Sequence, residues 1–469
     1  MKQPVERRIE RVVNHLLPQT AFEGRYGSPE SLHERLARHH TPGVSIAVIN
    51  NFEIEWARGF GKCEAGRPAE VTPTTLFQAG SISKPVFALA VMYLVQEGRL
   101  DLDEDINVYL KSWRVPANEG WQPRITLRQL LSHSAGLTVQ GFPGYQSSEP
   151  IPTVPQILDG ESPANTEMVE VNILPGLQFR YSGGGTTVAQ QALIDTLDRP
   201  FPEIMRTLVL NPLGMGDSTF EQPLPDDWAT RAATAHPWKG IPLRGKYHIY
   251  PEMAAAGLWT TATDLAKVGV ELLKGLLGKP HSLLAKETIE AMLSPQLQGQ
   301  REGEGEFAGL GFFCSGKGDS LYFGHGGWDE GFVALMRIYR NIGKGAVVML
   351  NSNEGHPVLE EIVRAIAHEY EWPGVFPPEK KGVTLARVDD YIGVYVTEAG
   401  VEFSMTGHRE NVMLQLAHQS PLQLIPTSEL EFFVKAVNVK ITFERDDNGS
   451  ITAMTVSQEG KQMRAERKS

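Results

Sequence analysis

The stretch "FQAGSISKPVFALAVMYLVQEGRL", residues 77–100, places Ser81 and Lys84 one helical turn apart at the start of an otherwise apolar helix. A lysine is poorly placed there, because the positive end of the helix macrodipole lies at the N-terminus. The same field, together with burial, favours the neutral amine, which can accept a proton. A serine hydroxyl becomes a strong nucleophile only when a base takes its proton. The spacing therefore predicts a serine nucleophile beside its base, with the Ser81 N–H as one oxyanion donor.

Other interpretations of these and similar motifs have to be weighed. An SxxK string also fits an N-cap serine followed by a solvated lysine, because such strings occur by chance. The sequence has no GxSxG elbow, which disfavours an α/β-hydrolase, and His33, His39 and His40 form no HExxH zinc motif. The triple glycine 183–185 precedes a helix but lacks the Lys-Ser/Thr of a P-loop. We expect His133 to be a structural residue at a helix end.

Length and composition limit the classes of function. With 469 residues the chain should form two or three compact units, and 41% hydrophobic with 21% charged residues is typical of a soluble globular protein. The net charge of -12 argues against nucleic acid or an anionic membrane as a partner. The N-terminus lacks a secretory apolar core, and no apolar run approaches the ~20 residues that cross a bilayer. We therefore expect a cytoplasmic protein, or a periplasmic or secreted one if a leader has been removed.

The cysteine content is low. Cys63 and Cys314 are the two cysteines, without a CxxC spacing. This excludes a disulfide framework and a cysteine zinc site, and it leaves one bridge open.

Mixed helix and strand patterns fill the first three quarters of the chain. Residues 41–61 predict a hairpin with Asn50 and Asn51 at its turn, because asparagine tolerates positive φ. Helical periodicity occurs at 125–137, 183–197, 262–278, 285–293 and 357–370, and strand patterns occur at 321–339 and 344–353.

The character of the sequence changes after residue 370. Residues 371–383 carry prolines and paired charges, which is typical of a linker. Short alternating strands follow, and "DDNGS" (446–450) is the clearest hairpin turn. This spacing predicts a small antiparallel barrel or sandwich. The predicted boundaries are 1–375 for the first domain, 376–383 for the linker and 384–469 for the second domain.

Five segments in order carry a resemblance to a known family. They are "GSISKP" (80–85), "LLSHSAGL" (130–137), "FRYSGGG" (179–185), "AAGLWTTATDLAKVG" (255–269) and "GHGGWDEGF" (324–332). From about Thr41 to Tyr370 the chain resembles the serine β-lactamase/penicillin-binding-protein-like hydrolases, including class C β-lactamase-type esterases and D-stereospecific peptidases.

The resemblance implies a fold. The implied fold class is α+β (α/β in the broad sense). An antiparallel sheet is flanked by helices, and an all-α lobe is inserted at roughly 64–230. The site is expected at the junction of the sheet and this lobe. The C-terminal strands resemble the lipocalin-like barrels appended to some members of the family. In those members the barrel caps the site or mediates assembly, and a passive stabilising role is an equal alternative here.

The resemblance also implies a role for each matching residue. Ser81 is the acylated nucleophile and Lys84 its base. Tyr181 relays a proton to the leaving group or acts as the base with Lys84. His325 replaces the lysine of the Lys-Thr-Gly element.

The residues after His325 are expected to contact the substrate. Gly326 and Gly327 let the substrate approach the strand closely. The N–H of Trp328 is the second oxyanion donor.

Two departures from the family pattern bear on the substrate. Gly183 stands where the family often has an asparagine that contacts the amide of the substrate's acyl side chain. His325 is neutral about as often as charged near neutral pH, so it holds a β-lactam carboxylate less reliably than lysine does. Both departures favour an esterase or small-peptide hydrolase over an efficient β-lactamase.

The sequence thus predicts a serine hydrolase that forms an acyl-enzyme at a Ser-Lys-Tyr centre, without metal or organic cofactor. Expected substrates are small esters, amides or short peptides, including peptides with a D-residue, and homo-oligomerisation stays open. The alternatives are a β-lactamase or acyltransferase on the same scaffold, or a catalytically silent ligand-binding homologue.

Overall fold

A computed structural model describes residues 5–18, 22–23, 30–280, 282–375, 380–416, 419, 421–434, 439–458 and 461–468. The chain divides into two compact units, one of Met1–Val12 with Leu32–Gly374 and one of Val13–Ser31 with Val375–Ser469. Residues 13–31, which the sequence predicts within the first domain, group with the second unit. Within it, Phe22–Glu23 pairs in parallel with Lys380–Lys381. Residues 376–379 of the predicted linker lie outside the described residues.

The α-helices are numbered in chain order. They are α1 (Val5–Asn14), α2 (Leu32–Arg38), α3 (Ser83–Gln96), α4 (Leu127–Leu131), α5 (Val154–Asp159), α6 (Gly183–Leu197), α7 (Phe201–Met205), α8 (Asp226–Ala229), α9 (Met253–Ala256), α10 (Ala262–Leu276), α11 (Lys286–Met292) and α12 (His356–Glu369).

The strands are numbered in the same way. They are β1 (Phe22–Glu23), β2 (Gly43–Asn50), β3 (Glu53–Gly61), β4 (Phe77–Gln78), β5 (Trp259–Thr260), β6 (Phe307–Ala308), β7 (Phe313–Ser315), β8 (Tyr322–Asp329), β9 (Phe332–Tyr339), β10 (Lys344–Leu350), β11 (Lys380–Lys381), β12 (Gly393–Thr397), β13 (Glu402–His408), β14 (Asn411–Leu416), β15 (Leu422–Pro426), β16 (Glu431–Val434), β17 (Val439–Arg445), β18 (Ile451–Gln458) and β19 (Lys461–Arg467).

A seven-stranded antiparallel sheet, in the order β3-β2-β10-β9-β8-β7-β6, forms the centre of the first unit. Gly269 of α10 lies so close to Ile338 that an added Cβ would come within 2.8 Å of its side chain. Glu360 of α12 accepts a hydrogen bond from Arg337 at 2.8 Å. Because neighbouring residues of a strand point to opposite faces, α10 and α12 cover opposite faces of the sheet. The predicted helix-flanked antiparallel sheet is confirmed.

The hairpin predicted at residues 41–61 is formed by β2 and β3, with its turn one residue later than expected. Asn51 and Phe52 adopt positive φ values of 53° and 64°. The turn therefore uses Asn51, as predicted, together with Phe52 rather than Asn50.

Helices α3 to α8 lie between β3 and β5 in the sequence. Helix α3 is buried continuously from Ser83 to Met92, which explains why its sequence is apolar on all sides. Helix α4 ends at Leu131, earlier than the helical periodicity at 125–137 predicts.

The second unit contains a closed antiparallel barrel of eight strands, β12 to β19. Strand β12 pairs with β19 and closes the ring. In the predicted "DDNGS" turn, the Asp446 carboxylate accepts hydrogen bonds from the N–H groups of Asn448 and Ser450, at 3.0 and 2.8 Å. The predicted small β-domain is confirmed, and it is a barrel rather than a sandwich.

Two further expectations concern thiols and membranes. Cys63 and Cys314 are both free, so the bridge that the sequence left open is not formed. In the part of the chain that the structure describes, no helix has both the length and the apolar character needed to cross a bilayer.

Candidate active site

Ser81 lies in a short 3₁₀ turn, Gly80–Ile82, which leads directly into α3 and is called the Ser81 turn below. Gly80 has a φ of +52°, and a Cβ there would come within 2.4 Å of the backbone nitrogen of Trp328. Only glycine fits both conditions. The Gly80 carbonyl accepts a hydrogen bond from Ser83 Oγ at 2.6 Å, and Ser83 Oγ in turn accepts one from the Leu258 N–H at 3.0 Å. These contacts fix the backbone on which Ser81 stands.

The predicted nucleophile, amine and phenol meet at one oxygen. Lys84 Nζ donates to Ser81 Oγ at 2.9 Å, and Tyr181 OH donates to the same oxygen at 2.9 Å. Lys84 Nζ also donates to the carbonyl of Ala255 at 2.8 Å and lies 5.0 Å from the centre of the Tyr181 ring. The Lys84 side chain is buried. The structure thus brings Ser81, Lys84 and Tyr181 into direct contact, as the family resemblance implies.

Tyr181 is held by residues before and after it. Ser182 caps α6, because its Oγ accepts the Gly185 N–H at 2.9 Å. The Ser182 N–H donates to Nδ1 of His133 at 3.2 Å, and the His133 ring packs on the Tyr181 ring with centroids 4.2 Å apart. Burial, reinforced by the charge of Lys84, holds the pKa of His133 well below its usual value, so this imidazole is neutral. His133 is structural, as expected, and its partner is Tyr181, which the sequence alone did not indicate.

His325 projects from β8 toward the same centre. Its Nδ1 lies 2.5 Å from the carbonyl oxygen of Gly326 and therefore carries the proton, while the buried Nε2 has no hydrogen-bond partner. Burial, with a smaller effect from the charge of Lys84, lowers the pKa of His325 to about 3. The expectation that His325 is charged about half of the time near neutral pH is therefore wrong, because a buried imidazole without a carboxylate partner stays neutral.

The next three residues of β8 differ in their surroundings. Gly326 is exposed, and a Cβ there would have no neighbour closer than the Ala334 carbonyl oxygen at 4.0 Å. A Cβ on Gly327 would come within 2.0 Å of the carbonyl oxygen of Ala79, so glycine is required for β8 to pack against the Ser81 turn. Trp328 places its backbone nitrogen beside Gly80, while its half-exposed ring packs on His356 with centroids 5.6 Å apart.

A cleft of about 330 Å³ opens above Ser81. It is lined by Ser81, Tyr181, Phe313, His325, Gly326, Gly327, Trp328, Ala334, Leu335, His356, Leu359 and Glu360. Gly183, the candidate substrate-binding position at which the family often has an asparagine, does not line this cleft. It is buried at the start of α6, where a Cβ would lie 3.0 Å from the Phe142 ring, so the asparagine of the family pattern would not fit without rearrangement.

Comparison with known proteins places this geometry in a family. A family model described as "Beta-lactamase" matches residues 30–371. The chain belongs to the Beta-lactamase family. It is 22% identical over 441 residues to Penicillin-binding protein 4* of Bacillus subtilis (strain 168), which covers 88% of this chain and 92% of that protein.

Two solved structures share the fold of this family member along most of its length. The octameric penicillin-binding protein homologue from Pyrococcus abyssi matches with a TM-score of 0.62 and 21% identity, covering 92% of this chain and 98% of that one. SurE, solved with D-Leu, matches with a TM-score of 0.56 and 22% identity, covering 93% and 97%. Both likenesses extend over the two units and therefore include the barrel.

Two buried acids of this Beta-lactamase family member lie outside the lining of the cleft. Asp329 is 3% exposed, and burial raises its pKa well above the usual value. Glu252 is fully buried, neither of its carboxyl oxygens has a hydrogen-bond partner, and burial raises its pKa to about 8. Sequence reasoning missed both acids, since an isolated acidic residue in a loop or at a strand end carries no spacing signal. Among the described residues, no cluster of three or more His, Cys, Asp or Glu side chains is arranged to hold a metal ion.

Proposed function

We propose that the chain is a serine hydrolase that cleaves small ester or amide bonds through an acyl-enzyme on Ser81. The observation that carries the proposal is the pair of 2.9 Å hydrogen bonds that Lys84 Nζ and Tyr181 OH make to Ser81 Oγ. A serine nucleophile needs a base within hydrogen-bond reach, and here two groups meet that condition. Members of the Beta-lactamase family are generally serine hydrolases, which agrees with this assignment.

The geometry suggests how the steps proceed. Ser81 Oγ attacks the substrate carbonyl carbon while its proton passes to Lys84 or Tyr181. The developing oxyanion accepts hydrogen bonds from the N–H groups of Ser81 and Trp328. Tyr181 then gives a proton to the leaving group, and the acyl group stays on Ser81. Water, deprotonated by the same pair, attacks the ester carbonyl and releases the acid, and the proton returns to Ser81 Oγ.

The side chains that line the cleft support a substrate that places no carboxylate beside His325. His325 is neutral, because its pKa is lowered to about 3. The neighbouring side chains Phe313, Leu335 and Leu359 are apolar. Glu360, the acidic residue of the lining, is already paired with Arg337 at 2.8 Å. None of the five lining side chains named here offers a cation to a substrate carboxylate, which supports an esterase or small-peptide hydrolase over a β-lactamase.

The test is a substrate panel with the Ser81→Ala variant. The panel contains p-nitrophenyl acyl esters, the amides and p-nitrophenyl esters of both D- and L-leucine, and nitrocefin. The D-leucine compounds are chosen because SurE was solved with D-Leu. We expect ester turnover that is stronger than nitrocefin turnover. Ser81→Ala should reduce turnover to background, and a fluorophosphonate adduct should appear on Ser81 in the wild type by peptide mass spectrometry.

A second serine variant serves as the control. Ser45 is buried in β2, away from the cleft lining, and its hydroxyl has no hydrogen-bond partner. Ser45→Ala should therefore retain both turnover and labelling. A fluorophosphonate adduct that persists in Ser81→Ala would contradict the assigned nucleophile. Tight ligand binding without turnover or adduct would favour the silent homologue, and ester products formed with added alcohols would favour acyl transfer.

A further inference from the structure

We propose that Gln190 is a positioning residue, which holds the short helix α9 and so fixes the Ala255 carbonyl that accepts a hydrogen bond from Lys84. The inference rests on the proposed function, because the position of Lys84 matters only if it takes part in the chemistry of Ser81. It assigns a role in the reaction to a buried side chain that does not line the cleft.

The hydrogen bonds of the Gln190 side chain carry the argument. Gln190 lies within α6 and is fully buried. Its Nε2 donates to the carbonyl of Pro251 at 3.1 Å, and its Oε1 accepts the Ala254 N–H at 2.7 Å. The residue directly after Ala254 is Ala255, whose carbonyl accepts Lys84 Nζ at 2.8 Å. The amide therefore binds the backbone directly before the carbonyl on which Lys84 depends.

Helix α9 needs contacts from outside to keep its place. It has four residues, and so short a helix is not stable by itself because nucleation is costly. Glu252 is its N-cap residue, but the Glu252 side chain makes no cap hydrogen bond with the described residues. The Gln190 amide supplies this missing acceptor for the Ala254 N–H. Gln222 binds backbone groups before and after the helix, outside α9.

The position of Gln190 also connects the two groups that contact the nucleophile. Helix α6 begins just after Tyr181, so the element that presents the phenol also holds, through Gln190, an acceptor for the amine. Lys84 Nζ donates both to Ser81 Oγ and to the Ala255 carbonyl. The bond to Ser81 Oγ changes when that oxygen becomes part of an ester, whereas the bond to Ala255 does not involve a reacting atom. A fixed Ala255 carbonyl therefore keeps the amine in place while water attacks the acyl-enzyme.

The test compares Gln190→Met and Gln190→Leu with the wild type, on the ester that the wild type turns over fastest. Methionine keeps the length of the side chain, and both substitutions remove the two hydrogen bonds to the α9 segment. We expect kcat to fall about 10- to 100-fold with KM nearly unchanged, because a displacement of about 1 Å in a catalytic group can cost about 10²-fold. The rate of fluorophosphonate labelling should fall in parallel. Thermal unfolding identifies which of the two variants is folded, and the folded one is used.

Gln191→Met is the matched control. Gln191 is the next residue of α6 and is also buried, but its Nε2 donates to Ser112 Oγ at 2.6 Å and to Asp195 at 2.8 Å, away from α9. Both substitutions remove buried hydrogen bonds, so both should lower the unfolding temperature. The kcat of Gln191→Met should stay within about twofold of the wild type, which separates the positioning of Lys84 from a general loss of stability.

A double variant shows whether Gln190 acts through Lys84. In a chain that already carries Lys84→Met, the Gln190 substitution should change the residual labelling rate by less than about twofold, because the effects of residues that act as a unit do not add. Wild-type kcat in the folded Gln190 variant overturns the proposal. An equal loss of kcat in Gln191→Met, or a full further loss in the double variant, overturns it as well. A wild type without turnover or labelling would instead contradict the proposed function.

Discussion

Two sets of polar groups around Ser81 differ in how they are satisfied. The first is the paired centre, Ser81, Lys84 and Tyr181, in which hydrogen bonds of 2.8–2.9 Å join the three side chains and the backbone. The second is the unpaired set, His325 and Glu252. Nε2 of His325 and both carboxyl oxygens of Glu252 are buried without a hydrogen-bond partner. Lys84 of the paired centre is buried, as His325 and Glu252 are, so burial by itself does not explain the difference.

The difference shows what burial does to a group that has no partner. The pKa of His325 falls to about 3 and that of Glu252 rises to about 8, so both residues are largely uncharged near pH 7. Groups that are neutral add no fixed charge near the reacting oxygen. The environment of Ser81 is therefore governed by its direct hydrogen-bond partners, and this can be tested by changing each set in turn.

The largest expected effect comes from the paired centre. Lys84→Met keeps much of the side-chain length and removes the amine, which is one of the two groups able to take the Ser81 proton. We expect kcat for ester hydrolysis to fall by at least about 10³-fold. The release of p-nitrophenol, followed by stopped-flow or steady-state absorbance, measures this loss of kcat. A loss of less than tenfold would mean that Lys84 is not part of the proton path.

Lys246→Met provides the control for that variant. Lys246 is also partly buried and its Nζ donates to a backbone carbonyl, that of Ala229, at 2.6 Å. It does not line the cleft above Ser81. Its loss should lower thermal stability and leave kcat close to the wild-type value, which separates the loss of a buried lysine from the loss of the base.

The contrast between the two sets also marks what the sequence could predict. The spacing of Ser81 and Lys84 predicts their contact, and the family resemblance adds Tyr181 to the paired centre. The sheet, the helices and the C-terminal barrel followed from periodicity, turn residues and the family resemblance. These signals are local or recur along the chain.

The unpredicted features depend on what packs around a residue. The neutral state of His325 follows from burial among groups distant in sequence, and the role of Gly327 follows from its contact with Ala79. The place of Gly183 away from the cleft depends on Phe142 in a loop. The assignment of residues 13–31 to the second unit reflects pairing with a distant strand. Hydrophobic pattern and spacing carry no information about such neighbours.

The next largest effect is expected where β8 meets the Ser81 turn. Gly327→Ala would bring a methyl group within 2.0 Å of the Ala79 carbonyl oxygen, a backbone atom that cannot rotate away. We expect a loss of about 3 kcal/mol in the free energy of unfolding, at the upper end of overpacking costs, and a marked loss of kcat. Gly326→Ala is the matched control, since its Cβ would have no neighbour closer than the Ala334 carbonyl oxygen at 4.0 Å. Equal denaturant midpoints for the two variants would refute the close packing of β8.

The smallest expected effect concerns the unpaired set and depends on pH. The pKa of Glu252 is raised to about 8 in the folded chain, against an ordinary value near 4.5 in the unfolded chain. Between these values the folded state binds the extra proton, so the wild type loses stability as pH rises. Glu252→Gln removes this loss of stability, because glutamine does not titrate. The variant should therefore gain about 2 kcal/mol relative to the wild type between pH 6 and pH 8, measured by urea unfolding at both pH values.

Asp264→Asn is the opposite case and completes the comparison. Asp264 is as buried as Glu252, but its carboxylate accepts hydrogen bonds from Ser218 Oγ at 2.8 Å, from the Asp217 N–H at 2.9 Å and from Lys267 at 2.7 Å. Replacing it with an amide weakens charge-assisted bonds and places an N–H₂ group against donors, so stability should fall at both pH values. If both variants responded alike, the presence of partners would not be what distinguishes these two buried acids.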